Sequence, residues 1–545
     1  MAIPADYYVD KLRHMSAWVR RHHGALVPPR LSGFLAAFDR LPDDARRLLL
    51  RLLMRRGPHF RLDRLAYAEV GDVTTATLAL ALAGVARLQV DVEVRLGLLR
   101  VPELRALLDA CGVPVPPAGQ RRDVLLCRCR ELPRAQLDAR LPAAVTVRLD
   151  DVIAPLRLLF FGGLRQDLTE FILADIGTLR FAVVPLSPRL PWSDRAGLER
   201  SLVIHRVADH LHDLERILPA DADASWHAPL DALADALAGV PEDAQARGRR
   251  ARALIRLAEL QARAGRPERR LALLRMADQP PARERLCRLL AAAGRTADAD
   301  RVQACMRAAP ADAVERRFAE RFDTRAGRCR PQRRGSVRIR FTRLVLPRLE
   351  SPLRIEARVA DHLAAFGSRA LHLENHLPGM LFLLGFWDIL FEPLPGAFVQ
   401  PFQAGPTDLF EADFRARRAG PIDARLAAIA DGTYGCAHFL AVARQHCGTL
   451  NPFWPWSGAG LRAADAILRS LPPALRAAIC AYVAEDPLRA RRGFPDLTVA
   501  NGVGGCVAFW EVKGPGDQLR PAQRDWLEQL TRAGAQAAVM EVRWA

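Results

Sequence analysis

The sequence predicts a multidomain, mainly α-helical chain that closes in a C-terminal α/β domain, and three observations predict it. The chain has 545 residues, enough for about three or four domains at roughly 150 residues each. Apolar residues recur at helical spacing along most of its length, and only the last fifty or so residues switch to a period of two. The composition is that of a globular chain and not a disordered one, with 50% hydrophobic and 26% charged residues. The longest apolar runs, Leu78 to Ala86 and Met380 to Trp387, fall short of the roughly 18 residues a membrane span needs. Asp6 and Asp10 stand where a charged-then-apolar leader would begin, so neither a membrane-spanning nor a secreted protein is expected.

Charge gives the first positive clue. A formal net charge of +18 suits a polyanionic partner. Nearly all the positive charge is arginine, and only Lys11 and Lys513 are lysine. With heavy alanine usage, this reads as the product of a GC-rich bacterial genome, so arginine drift accounts for part of the excess. A lysine that persists in such a chain points to chemistry that arginine does not supply, because only lysine offers a compact charge with a tunable pKa.

Taken in order, residues 1–95 form a basic helical domain. Between Arg46 and Arg64 stand seven arginines, Arg55 and Arg56 among them, and one acid, Asp63. They form either a solvated amphipathic face or a face laid against DNA phosphates. Residues 96–132 read as a hairpin: a helix over Glu103 to Leu108, a Gly112-Val113-Pro114 turn, and a second helix opened by Arg121 and Arg122. This hairpin resembles the SAP type, and the resemblance implies that the start of the second helix faces DNA phosphates. The alternative is an αα-hairpin of no special function.

Residues 133–350 are expected to be helical. The Ala264-Gly265-Arg266 and Ala293-Gly294-Arg295 turns lie 29 residues apart, in the manner of a tetratricopeptide-like repeat. The stretch from Arg325 to Arg343 carries eight arginines, including Arg333 and Arg334, and no acid. It reads as a basic connector into the last domain, 351–545. Ten cysteines lack framework spacing and suit a reducing compartment. Cys436, His438, His446 and Cys447 miss the spacing of a structural zinc site and read as packed helix residues.

The chemistry lies at the C-terminus. Phe494 to Val499 reads as a strand, Asn501 to Gly505 as a turn, and Val507 to Lys513 as the partner strand. A period of two puts Glu511 and Lys513 on one face and turns Val512 into the core. Asp496 converges on them across the hairpin. Two carboxylates with a lysine two residues beyond the second can hold a hard divalent cation beside a water. Asp496 and Glu511 are the expected ligands of Mg²⁺ or Mn²⁺, as one ion or two, with the Val512 carbonyl as a neutral donor. Lys513 is expected to orient the attacking water and offset charge in the transition state. Gln523 either hydrogen-bonds this site or the backbone, or is a surface glutamine. Asp517 either caps the following helix or supports the lysine.

This arrangement is that of the restriction-endonuclease-like PD-(D/E)xK nucleases. The text after it, Gly514-Pro515-Gly516-Asp517-Gln518-Leu519 with Gln523 and Trp526-Leu527, resembles the VRR-NUC domain. Upstream, Leu371 to His376 and Gly385 to Phe391 resemble the Fanconi-anaemia-associated nuclease family. That resemblance implies that Glu374, on a helix, completes the metal site. It further implies a divalent-metal-dependent, structure-specific DNA nuclease. Such an enzyme cuts near 5′ flaps, digests from 5′ ends and acts in interstrand cross-link repair, with flapped or branched DNA as partner, in a bacterial cytoplasm or nucleoid. A DNA-binding scaffold with an inert nuclease fold is the alternative. One position departs from the pattern: Gln518 stands where some members carry arginine, which leaves that phosphate contact in question.

Overall fold

The computed structural model describes residues 4–545 apart from 56, 118, 188–191, 193, 220–221, 242–245, 312, 330–337, 348–353, 367, 374–375, 412, 457 and 502–505. It divides into two compact units, residues 1–178 with 190–206, and residues 179–189 with 207–545.

The first unit is helical because its leucines repeat at helical spacing. Helix Asp43–Leu53 buries Leu48, Leu49, Leu50 and Leu52 and turns its arginines outward, where several find internal acids. Arg46 pairs with Asp43, Arg47 with Asp6 at 2.8 Å, and Arg51 with Glu69. Part of the arginine run is thus engaged within the fold. Lys11 is engaged too, at 2.7 Å from Asp175. A second small core gathers Leu96, Leu104, Leu108, Leu125, Cys129 and Leu137. Helices Val92–Gly97, Val101–Ala110, Arg122–Arg130 and Arg134–Arg140 contribute to it. The packed hairpin thus reaches beyond 96–132 on both sides, since two helices alone leave Leu104 and Leu108 uncovered.

In the second unit, helices Arg247–Arg263, Pro267–Ala277, Ala282–Ala292 and Thr296–Ala308 follow one another through short turns. The two Ala-Gly-Arg turns make the same bond: Arg266 N–H donates to Gln261 O at 2.9 Å, and Arg295 N–H to Leu290 O at 2.9 Å. Such a bond satisfies a carbonyl orphaned at a helix end.

The chain then builds a five-stranded sheet. Its strands are β1 (Arg340–Leu346), β2 (Ser368–His372), β3 (Leu497–Asn501), β4 (Cys506–Lys513) and β5 (Gln536–Trp544), in the order β1-β5-β4-β3-β2. The pairs β1–β5 and β4–β5 are parallel, and β3 pairs antiparallel with β4 and β2. Two expectations are corrected here. The end of the basic connector is strand β1, so the sheet begins before residue 351. Leu371 and His372 end a strand rather than opening a helix, and helix begins only at Leu377. In both cases a non-local strand partner overrides the local reading.

Both faces of the sheet are covered. Val507 and Phe509 pack in a core with Leu381, Ile479, Trp526 and Leu527, while Ala508 and Val512 pack with Val359 and Met540 on the other face. Burying one such side chain contributes about 1.5–3 kcal/mol. Among the described residues no single helix is long and apolar enough to cross a membrane.

Candidate active site

The site grows out of the antiparallel pairing of β3 and β4. Leu497 lies opposite Trp510, so Asp496 enters the sheet beside Glu511. Asp496 Oδ2 accepts the Val512 N–H at 2.8 Å, which pins this carboxylate to the backbone between the other two site side chains. Asp496 and Glu511 are both buried, Glu511 at 1% exposure. Carboxylates are rarely buried without compensation. Lys513 Nζ supplies part of it, 2.9 Å from Glu511 Oε1.

Gln523 closes the arrangement. Its Nε2 donates to Glu511 Oε1, and its Oε1 accepts from Lys513 Nζ at 3.1 Å and from Arg520 N–H at 2.9 Å. One amide therefore orients the carboxylate, orients the ammonium and caps the first turn of helix Pro521–Arg532. Of the two readings the sequence left open, the structure takes the first. Asp517 is also placed: its Oδ2 accepts Gly514 N–H at 3.0 Å, which holds the Gly-Pro turn rather than the lysine.

The helix stands this close because of Gly493. Its φ is +83°, and a Cβ there would lie 2.7 Å from the carbonyl carbon of Ala522 and 2.8 Å from Gln523 N. Only glycine lets the strand entry press on the helix start. Phe494 then packs edge-on against Phe509 at 5.5 Å and Trp526 at 5.0 Å, clamping both strands and the helix to one another. The sequence displayed Gly493 and Phe494, but nothing local revealed the contact they make.

Gln523→Ala removes the bridge while leaving both charged groups. Single-turnover cleavage is expected to fall about 10–100-fold, the usual effect of losing a group that orients metal ligands, with flap affinity unchanged. A wild-type rate would reduce Gln523 to a helix cap.

Glu374 lies outside the described residues. Strand β2, which leads to it, ends with His372 opposite Leu497, one residue from Asp496. Arg56, Arg333 and Arg334 also lie outside the described residues. Arg55 donates to the Tyr67 hydroxyl at 3.0 Å.

The hairpin arginines divide. Arg121 is 85% exposed beside Asp123, whereas Arg122 donates to the carbonyls of Gly97 at 2.5 Å and Leu99 at 3.2 Å. Arg121→Ala is therefore expected to lower the slope of log affinity against log salt by about one unit. Arg122→Ala should lower the melting temperature with little effect on that slope. Equal slopes for wild type and Arg121→Ala would remove the hairpin from the DNA interface. His446 stacks on Trp387 at 4.0 Å and His438 on Tyr434 at 4.7 Å, as packed helix residues do.

Comparison with known proteins bears on what this site does. The family models of the FAN1 HTH domain and the VRR-NUC domain match residues 6–87 and 438–544. The chain is 32% identical to a Fanconi-associated nuclease 1 homolog of Pseudomonas aeruginosa, over 99% of this chain and 96% of that one. The chain belongs to the Fanconi-associated nuclease family. The human Fanconi-associated nuclease 1 is 29% identical over 34% of this chain and 19% of its own length. A crystal structure of paFAN1 bound to 2-nucleotide 5′-flap DNA with a gap superposes with a TM-score of 0.86 at 30% identity, covering 100% of this chain and 99% of that one. A second, with 1-nucleotide 5′-flap DNA, also gives 0.86.

Like other Fanconi-associated nucleases, the chain is a structure-specific DNA nuclease that hydrolyses phosphodiester bonds. The VRR-NUC nucleases generally depend on a divalent metal. The donors fit one, since the two buried carboxylates, Asp496 and Glu511, are hard oxygen ligands. Among the described residues no three His, Cys, Asp or Glu side chains form a group that could hold a metal ion.

Proposed function

We propose that this Fanconi-associated nuclease is a 5′-flap endonuclease and 5′–3′ exonuclease of the bacterial cytoplasm and nucleoid, acting in repair of interstrand cross-links. The observation that carries the reading is the meeting of Asp496, Glu511, Lys513 and Gln523 at the adjoining ends of β3 and β4. The flap DNA in the two related crystal structures supports the polarity. The intact charged set argues against an inert scaffold.

Asp496, Glu511, Glu374 and the Val512 carbonyl would hold Mg²⁺ or Mn²⁺, as one ion or two. When bound, the metal supplies Lewis-acid polarisation of the scissile phosphate. The protein's own groups do the rest. Val512 N–H fixes Asp496, Gln523 fixes Glu511 and Lys513, and the Lys513 ammonium faces the charge that develops on the phosphate.

The test is cleavage of an end-labelled panel (5′ flap, 3′ flap, fork, nicked duplex and single strand) with Mg²⁺, Mn²⁺ or EDTA. The expected result is preferential cutting of the 5′ flap with either metal and none with EDTA. Preference for the 3′ flap, or undiminished cutting in EDTA, would overturn the proposal.

A further inference from the structure

Strand β1 is an outer edge of the nuclease sheet, and among the described residues only β5 pairs with it. An edge strand presents a row of backbone N–H and C=O groups to any extended chain that comes alongside. Native sheets blunt such edges by keeping them short, bulging them or breaking them with proline. None of these devices interrupts β1. Its seven residues pair with β5 in unbroken parallel register, from Arg340 opposite Ala538 to Leu346 opposite Trp544.

Successive side chains of the strand divide between the two faces of the sheet. Leu344 and Leu346 turn inward and pack with Val359 of helix Ile355–Ala365. Phe341, Arg343 and Val345 share the other face, where the covering core stops at β5. Val539 is fully buried there, yet Phe341 opposite it is 53% exposed, and Val345 is 60% exposed. The Arg343 side chain between them is 69% exposed, with Glu541 of β5 at 3.7 Å. Arg338, Arg340 and Arg543 are exposed as well, and no acid lies between Arg338 and Pro347.

The edge therefore offers peptide groups along its length and an apolar–basic–apolar stripe on its open face. Arginines on an edge can serve as guards against aggregation, but a guarding charge replaces exposed apolar side chains. Here Phe341 and Val345 stand bare on either side of the charge. A second copy of this chain, paired edge to edge, would set arginine-bearing strands against each other, like charge facing like. DNA would engage the arginines but has no strand to add.

We propose that the outer edge of β1 docks an extended segment of a partner protein as a sixth strand of the sheet. The segment presents apolar, acidic and apolar side chains in alternation to Phe341, Arg343 and Val345. Strand β5 separates this edge from the strand that carries Glu511 and Lys513, so docking leaves the cutting chemistry free.

The test uses the full chain and a fluorescein-labelled heptapeptide, TVTDTVT, which reads the same in both directions and so suits either strand orientation. With its aspartate opposite Arg343, its valines fall opposite Phe341 and Val345. Anisotropy is expected to show saturable binding, and deuterium exchange to slow in the fragment spanning Arg340–Leu346. Arg343→Glu should weaken TVTDTVT about tenfold and favour the lysine peptide TVTKTVT by a similar factor, with flap cleavage at the wild-type rate. Val345→Thr, which keeps the strand, should weaken both pairs. Should Arg343→Glu melt early, Arg343→Gln carries the test by losing the preference for aspartate over lysine.

Absence of saturable binding, or equal affinity of wild type and Arg343→Glu for both peptides, would overturn the proposal. Displacement of the peptide by flap DNA in Ca²⁺, with a smaller salt slope for DNA in Arg343→Gln, would assign the edge to DNA instead. A dimer seen by sedimentation that Phe341→Ser dissolves would assign it to a second copy.

Discussion

Glu511→Gln and Asp496→Asn are expected to abolish flap cleavage while leaving flap affinity near that of wild type. Each exchange keeps the shape of the side chain and removes one ionised oxygen from a two-carboxylate donor set. Holding a divalent ion supplies several kcal/mol to the transition state, and a loss of about 4 kcal/mol is about 10³ in rate. The isosteric variants are preferable to alanine because Glu511 has a second role. It is buried at 1% exposure and compensates Lys513, whose side chain is 13% exposed. Glu511→Ala would strand that ammonium, at a cost of about 3–5 kcal/mol for a broken buried pair. A melting curve should therefore place Glu511→Ala well below wild type and Glu511→Gln nearer to it, with cleavage lost in both. Single-turnover rates near wild type in Glu511→Gln or Asp496→Asn, at saturating metal, would sink the assignment. Glu374→Ala is expected to share the loss, with flap affinity retained.

Lys513→Arg is expected to lose nearly as much activity as Lys513→Ala, on the order of 10² or more in rate. A site that needed only positive charge would keep most of its activity with arginine. Here the ammonium sits in a fixed triangle, 2.9 Å from Glu511 Oε1 and 3.1 Å from Gln523 Oε1. A guanidinium is wider and planar and places its charge farther out. It would push Gln523 off Glu511 or occupy the space beside the phosphate. The measurement is single-turnover flap cleavage with enzyme in excess, alongside metal affinity by calorimetry. Metal affinity should change little. An arginine variant that cuts at near the wild-type rate would make Lys513 a generic cation. Lys11 is the natural contrast, because it pairs with Asp175 beside the rings of Tyr7 and Phe171.

The catalytic text was legible in the sequence because it is local. A strand period of two puts Glu511 and Lys513 on one face whatever the rest of the chain does, and a hairpin turn brings Asp496 across to them. The scarcity of lysine added a signal independent of geometry. The mainly helical body was legible for the same reason, since leucine spacing is a short-range property.

What the tertiary structure decided is everything that depends on a distant partner. Arg340 to Leu346 is mostly exposed, and its arginines read as a connector until β5 supplies the parallel neighbour. The stretch before Glu374 becomes strand because β3 offers it an edge. Gln523 becomes a bridge because Gly493, thirty residues upstream, lets the helix start press against the strand entry. Arg122 bonds the carbonyls of Gly97 and Leu99 because the hairpin packs on the helix before it. A hydrogen bond reaches about 3 Å and is set by packing density, so no pattern along the chain announces which side chains will meet.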